Sequence, residues 1–321
     1  MKALRLVQSS PQPLLVEEAM PRPKPAAGEV LVRVHAVAVT PTEVQWYGTS
    51  RAKDGTPRAG AVLGHEFSGE IVECGVGVTE FAAGQEVFGM NDWLAEGALA
   101  ECCVTTPELI ARKPERLSHE QAATVPISAL TAWQGLFDRG GLQRGERVLI
   151  HGGAGAVGLF AVQLAHAHGA HVITTVSAND TDFARSLGAD QALDYRGTPF
   201  ETCVRDIDLV FDTVGPKIVQ RSWQVMKPRA RVVTVAVESK SAEDDRVRGA
   251  FFIFEQNKTQ LEHMAGLLQA GKLQPALDAV VSVSAATEAY RGAVPRRRPG
   301  KLVISPIEWS IPQASGVNTG R

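Results

Sequence analysis

The sequence predicts a two-part α/β protein, in which a doubly wound parallel sheet is inserted between two pieces of a β-rich domain. Three observations predict it. A strand-helix-strand unit runs from Arg147 to Val176 with glycines clustered at its first turn. Apolar β-branched runs recur after that unit, separated by segments of helical period. Residues 1–115 instead show strand patterning broken by glycine and proline, and strand patterning returns near the end of the chain.

Taken in order, Ala3 to Val7 reads as a strand and Glu29 to Val39 as a longer one, after the proline-rich bend PRPKPAAG. Residues 62–89 set apolar runs between Gly69, Gly75, Gly77 and Gly84, as a compact, partly closed barrel requires. Gly97 to Thr105 reads as a further strand. Near residue 118 the apolar period lengthens from two to 3.6. Ser118 and Gln121 have capping-box spacing, so a helix starts there, and a second spans Ser128 to Asp138 before Gly140 and Gly141.

In the central unit, Val148 to Ile150 is a short buried strand followed by Gly152, Gly153, Gly155 and Gly158. The next helix, Val157 to His168, is closed by Gly169, and Val172 to Val176 is the second strand. Gly153, Gly155 and Gly158 stand in GxGxxG register. Glycines in that register let backbone approach a pyrophosphate, whose charge sits at the helix N-terminus. An NAD site usually places a carboxylate about 20 residues after the first glycine. Here the second strand leads into Ser177, Ala178 and Asn179, and no carboxylate stands there until Asp180. Ser177 and Asn179 can donate to a 2′-phosphate, and Arg196 beside Tyr195 can supply charge and a flat face. This region therefore favours NADPH over NADH.

Strands are expected at Asp208 to Val214, Arg231 to Val237 and Ala250 to Phe254, and a helix from Lys258 to Ala270. The following stretch reads as strand, helix and closing strand. Residues 122–271 are assigned to the dinucleotide-binding domain, and 1–121 with 272–321 to the substrate domain. The tail from Ser310 has no apolar period and is expected to be disordered.

The chain has 321 residues, 44% hydrophobic and 21% charged, which fits an ordinary globular protein. With 33 basic and 35 acidic residues its net charge is −2, so no nucleic-acid or membrane partner is expected. The first residues lack a signal-like apolar core, and a cytosolic setting is expected. Cys74, Cys102, Cys103 and Cys203 show no CxxC pair and are read as free thiols.

These segments resemble the medium-chain dehydrogenase/reductase superfamily, and within it the zinc-independent quinone oxidoreductase branch. The motifs are PAAGEVLVRV, GHEFSGEIVECG, LTAWQGL at 130–136, HGGAGAVG at 151–158, SLGADQALDY at 186–195, DLVFDTVG at 208–215 and PGKLVI at 299–304, in the family's order. The resemblance implies a GroES-like β-barrel domain joined to a Rossmann domain, with the active site in the cleft between them. It carries cofactor roles to Thr131 and Gln134, to Gly155, Ala156, Val157 and Gly158, and to Ser177 and Tyr195. Val235, Phe252 and Phe254 are expected to flank the nicotinamide. Lys301 is a further candidate for the cofactor phosphate, although its basic run with Arg297 and Arg298 reads first as solvated charge. The family often forms homodimers through the last strand of the Rossmann sheet, here Ala250 to Phe254.

Zinc-dependent relatives hold their catalytic metal with a Cys, the His of a GHE motif and a further Cys or Asp. This chain keeps His65, but the other positions align with Thr40 and with the neighbourhood of Ile127, and a catalytic zinc usually needs three protein ligands. No zinc is expected. Without a Lewis acid, the expected substrate is an already activated one, a quinone or an α,β-unsaturated carbonyl. In TPTEVQWYG, Thr40 can donate to the substrate oxygen, Tyr47 can protonate or anchor, and Trp46 can cover a flat ring. Gln45 lines the substrate where quinone reductases often carry tyrosine. His65 is either a hydrogen-bonded structural group or a proton donor, and Glu43 is a structural or proton-network residue. The alternatives are a zinc-dependent alcohol dehydrogenase and a non-catalytic, crystallin-like NADPH-binding protein.

Overall fold

The computed structural model describes residues 1–9, 12–306 and 309. The expected disorder from Ser310 lies outside the described residues. Two compact units form, one of Met1–Ala123 with Ala279–Arg296 and Leu302 onward, the other of Thr124–Asp278 with Arg297–Lys301. Residues 272–278 stay with the second unit, although the chain is expected to return to the first at 272. The Gln163 side chain explains this, donating to the Gln274 carbonyl at 3.0 Å and accepting from its N–H at 2.8 Å. The amides of Arg297 and Arg298 both donate to the Asp278 carboxylate, which holds 297–301 there too.

In the first unit, β1 (Lys2–Gln8) pairs antiparallel with β2 (Leu14–Ala19). β3 (Val30–Ala38) pairs antiparallel with both β4 (Glu66–Cys74) and β6 (Cys102–Thr105). β4 continues to β5 (Glu86–Met90), and β5 to β7 (Ile110–Arg112). A short helix α1 (Tyr47–Ser50) follows a 3-10 turn, and α2 (His119–Ala123) ends the segment. The capping box is present before α2. Ser118 N–H donates to Gln121 Oε1 at 3.1 Å, and Gln121 N–H donates to Ser118 Oγ at 3.2 Å. The side chains of Val30, Val32, Val34, Phe67 and Ile71 are buried together, so apolar burial sets the β3–β4 register. The strand expected over Gly97 to Thr105 is regular only from Cys102. A Cβ at Gly97 would meet the Leu63 carbonyl at 2.2 Å, and the 97–99 backbone bonds irregularly to 62–64.

In the second unit, α3 (Pro126–Trp133) continues as a π-helical turn, Gln134–Arg139. Then come β8 (Arg147–His151), α4 (Gly158–His168), β9 (His171–Val176), α5 (Thr181–Ser186), β10 (Gln191–Asp194) and α6 (Phe200–Cys203). β11 (Ile207–Asp212), α7 (Pro216–Ser222), β12 (Met226–Thr234), α8 (Asp245–Ala250) and α9 (Lys258–Gln269) complete the unit. The strands are parallel in the order β10-β9-β8-β11-β12, which is the doubly wound arrangement expected.

The strand expected at Ala250 to Phe254 is not one. Ala250 ends α8, and the segment beyond it makes a single parallel bridge, Phe251 to Thr234. Gln134 holds both backbone groups of Glu255, so the following turn is fixed by a side chain and not by a ladder. The edge expected to join two copies is thus not a regular strand in this chain.

The sheet of the first unit is completed by β13 (Leu277–Ser282) and β14 (Lys301–Ser305), giving seven strands in the order β13-β14-β3-β4-β5-β7 with β6 on β3. Between them lies α10 (Ala286–Tyr290). No described helix is long and apolar enough to cross a membrane.

Candidate functional site

In the second unit, the glycine turn leaves the carboxyl end of β8 and enters α4. Gly152 has φ +83°, and Gly153 lies so close to β9 that a Cβ there would meet Thr174 Oγ1 at 2.0 Å. Gly158 is packed still harder, since its Cβ would meet the Gly152 carbonyl at 2.1 Å and Gly153 Cα at 2.8 Å. Gly155 meets only the Gly152 carbonyl, at 3.2 Å. Backbone is thus packed on backbone at the start of an eleven-residue helix, with Ala156 and Val157 in the turn. This cradle fits a dinucleotide pyrophosphate.

The turn is held by His151, the last residue of β8. Its Nδ1 lies 3.0 Å from Thr175 Oγ1 and its Nε2 2.9 Å from Ser222 Oγ. Ser222 spends its own proton on the Ile218 carbonyl, so Nε2 is the donating nitrogen and Nδ1 accepts from Thr175. Burial, followed by the Arg221 charge, pushes the imidazole down to about 3, and His151 stays neutral.

At the ends of β9 and β10, Asp194 pairs with Val176 and the Tyr195 N–H donates to the Val176 carbonyl at 3.1 Å. That register brings Ser177, Tyr195 and Arg196 together. The Arg196 guanidinium lies 5.0 Å from the centre of the exposed Tyr195 ring, and Asn179 is exposed. Ser177 donates its hydroxyl to Asp180 at 2.7 Å, so its proton is committed and it is not the free donor expected.

Two expected cofactor contacts are used differently. Gln134 is buried and spends its amide on Glu255 and on Gln260 at 2.7 Å, which fixes the segment carrying Phe252 and Phe254. Lys301 is buried, with Ser128 Oγ 3.4 Å from its Nζ, and does not belong to a solvated basic run. Thr131 is buried on α3, and the Val235 N–H donates to the Asp212 carbonyl.

In the first unit, Glu43 organises the loop that carries His65. Its Oε1 accepts from the N–H groups of Gly64 at 2.7 Å and His65 at 3.1 Å, and is bonded to His65 Nδ1. Its Oε2 accepts from the Tyr290 hydroxyl of α10 at 3.0 Å. Burial, with the Glu43 charge, pushes the Tyr290 phenol well above its ordinary range, so it remains a donor. His65 Nε2 lies 3.3 Å from the Ala95 carbonyl, and the ring is flanked by Trp46 and Trp93, themselves edge-on at 5.1 Å. The buried Thr40 Oγ1 has no partner among the described residues. Tyr47, 62% exposed, and Gln45, also exposed, are not drawn into this cluster.

A zinc ion does not fit this donor set. His65 can offer Nε2 while Nδ1 is held by Glu43, but Thr40 offers a neutral hydroxyl, and the described residues include no group of three or more His, Cys, Asp or Glu placed to hold a metal, short of the three ligands a catalytic zinc takes. Sequence reasoning missed Tyr290, Trp93, His151 and Asp212. His151 was detectable as a polar residue closing a buried apolar strand and Asp212 as a carboxylate within the run expected over Asp208 to Val214, which ends at Asp212 in the fold, whereas nothing local marks Tyr290.

Residues 26–115 match the alcohol dehydrogenase GroES-like domain, and residues 187–304 match the zinc-binding dehydrogenase family. The chain is 31% identical to NAD(P)H oxidoreductase RTN4IP1, mitochondrial, from Danio rerio, over 87% of this chain and 84% of that protein. It is 31% identical to 2-methylene-furan-3-one reductase from Solanum lycopersicum, over 87% of this chain and 72% of that one. The quinone oxidoreductase from Coxiella burnetii superposes with a TM-score of 0.82 at 29% identity, covering 95% of this chain and 99% of that one. The expected cytosolic setting is overturned here, because the Danio rerio relative is by name mitochondrial.

Proposed function

Because the chain belongs to the medium-chain dehydrogenase/reductase superfamily, we propose that it is an NADPH-dependent oxidoreductase acting without zinc on a quinone or an α,β-unsaturated carbonyl. The observation that carries the reading is the cluster around Glu43, where, among the described residues, His65 is the one metal-type ligand offered and Thr40, with an unpartnered hydroxyl, stands where zinc-dependent relatives carry a thiolate. The similarity to a quinone oxidoreductase and to a methylene-furanone reductase, both named for conjugated acceptors, supports it.

When bound, NADPH supplies a hydride from its nicotinamide ring. The remaining work falls to the chain. Gly153, Gly155, Ala156, Val157 and Gly158 bind the pyrophosphate through backbone, and Thr131, Val235, Phe252 and Phe254 orient the nicotinamide. Asn179, Tyr195 and Arg196 hold the adenosine end, with Arg196 supplying the charge for a 2′-phosphate because the Ser177 proton is committed. Thr40, with an unspent hydroxyl, donates to the oxygen on which negative charge develops. Trp46 packs against a flat substrate, and Glu43 fixes His65 as a positioning group beside it. Tyr47 supplies the proton that the reduced substrate takes up and, being open to solvent, recovers one from water. Assembly as a homodimer belongs to the same proposal, supported by Ile253, 64% exposed beside the sheet edge.

The same Ser177–Asp180 pair favours a second reading, NADH, because Asp180 puts a carboxylate near the expected ribose. Steady-state oxidation of NADPH and NADH by chelator-treated protein separates the readings, with a quinone, an alkenal and a saturated aldehyde offered in parallel. Turnover of the conjugated substrates alone, at least about tenfold faster with NADPH, is expected. Equal or faster turnover with NADH moves the assignment to the Asp180 reading, and activity only on the aldehyde after zinc addition rejects the metal-free one.

A further inference from the structure

Asp212 ends β11 opposite His151 of β8 and Thr234 of β12. The strand order puts β8 and β11 on either side of the point where the winding direction reverses, and open parallel sheets bind ligands at the carboxyl ends there. The Asp212 carboxylate is wholly buried. It accepts from Val214 N–H at 3.0 Å, from Gly215 N–H at 3.1 Å and from the Thr234 hydroxyl at 2.7 Å. Thr234 Oγ1 in turn accepts from Ala236 N–H at 3.3 Å and lies 3.3 Å from Ser239 Oγ. Thr213, in the same loop, donates to the His151 carbonyl at 2.8 Å, and its Oγ1 fills the place where a Gly152 Cβ would stand. One carboxylate therefore fixes the loops after β11 and β12, and through Thr213 touches the glycine turn.

We propose that Asp212 is the positioning residue of the dinucleotide site, whose ionised carboxylate holds loops 213–215 and 235–239 ready for the cofactor and whose protonation releases them. This rests on the dinucleotide reading above. Ionised, the carboxyl group only accepts, and all three donors are satisfied together. A proton on either oxygen turns that oxygen into a donor. A proton on Oδ2 faces Thr234 Oγ1, whose own proton must then turn to Ser239 Oγ at 3.3 Å, and the Gly215 N–H gives up its 3.1 Å bond to Oδ2 for the weaker one at 3.3 Å to Oδ1, shared with the Val214 N–H. The groups facing Asp212 make this proton exchange accessible. On β8 the neighbour is His151, which stays neutral, on β12 it is uncharged Thr234, and from the 3-10 turn Val237–Ser241 come Ser239 and the Glu238 carboxylate. Burial first, against the three hydrogen bonds and with a smaller push from Glu238, raises the Asp212 carboxyl to about 6.

The sign separates this role from a merely structural one. A carboxyl raised in the folded state contributes stability that is full below its unfolded value of about 3.9 and is lost as pH rises through about 6. Cofactor affinity should move the opposite way, rising through the same window.

The test is fluorescence titration of the full chain with NADPH from pH 5 to 8. NADH is titrated in parallel, because the 2′-phosphate of NADPH itself titrates near pH 6. If only the ionised form binds, about a tenth of the protein is competent at pH 5, so NADH should bind about tenfold more weakly there than at pH 7.5 and NADPH by at least that much. Asp212→Asn has no carboxylate to ionise, so at pH 7.5 it should bind NADH at least as weakly as the native chain does at pH 5, with no pH dependence. Thr234→Val keeps the carboxylate but removes a donor favouring its charge, so its midpoint should move upward, and this variant carries the test should Asp212→Asn fail to fold. A flat NADH profile in the native chain, or a native profile in Asp212→Asn, overturns the proposal while leaving the dinucleotide reading intact. Failure of the native chain to bind either nucleotide at any pH overturns both.

Discussion

Gly158→Ala is expected to weaken NADPH binding by at least about 100-fold, a loss of about 2.7 kcal/mol, while leaving the chain folded. The added methyl would stand 2.1 Å from the Gly152 carbonyl and 2.8 Å from Gly153 Cα. Both neighbours are backbone, so the turn must move as a whole. Gly153→Ala should behave similarly, because the obstructing Thr174 hydroxyl donates to the Ile150 carbonyl at 2.7 Å and is completely buried, with no free rotamer. Gly155→Ala is the internal control. Its methyl would meet only the Gly152 carbonyl at 3.2 Å, a few tenths of an ångström too close, and roughly tenfold weakening or less is expected. Titration of the nicotinamide fluorescence measures all three. Equal losses at the three positions would mean that the backbone cradle does not hold the pyrophosphate.

Glu43→Ala should lower stability by about 3–5 kcal/mol, equivalent to a melting temperature lower by roughly 4–7 °C. The substitution leaves the Gly64 and His65 amides and the Tyr290 hydroxyl without their acceptor in a site where His65 and Tyr290 are almost wholly buried. Glu43→Gln keeps one acceptor oxygen and offers an NH2 group toward Tyr290, whose hydroxyl can rotate to receive it. About 1–2 kcal/mol is expected there, and about 1 kcal/mol for Tyr290→Phe. Calorimetry of the full chain measures the series. A Glu43→Ala protein melting with the native one would show that the hydrogen bonds around Glu43 do not hold the loop that carries His65.

The parts of this molecule written in short spans of sequence were readable from it. The glycine turn, the capping box of Ser118 and Gln121, and the close of α4 at Gly169 each depend on residues within a few positions, and each is present in the fold. The Ala250 to Phe254 run misled because an apolar composition does not reveal that the Gln134 side chain, 121 residues earlier, takes the backbone bonds of Glu255. Tyr290 reaches Glu43 across 247 residues, a pairing that only the return of the chain to its first unit creates. Lys301 looked solvated beside Arg297 and Arg298, but its neighbours Lys301–Ser305 form a buried strand, which draws it inward to Ser128. Asp212 was visible as a carboxylate inside the apolar run expected over Asp208 to Val214, but that the strand stops at Asp212 is evident only in the fold.

The most direct test of metal-free hydride transfer to a conjugated acceptor is to follow deuterium from 4-deuterated NADPH into product, using chelator-treated protein and an alkenal. Label on the β-carbon of a saturated aldehyde is the predicted result, unchanged when zinc is added back. Label on the carbinol carbon of an unsaturated alcohol, formed only after zinc is restored, would contradict the account and make His65 a metal ligand.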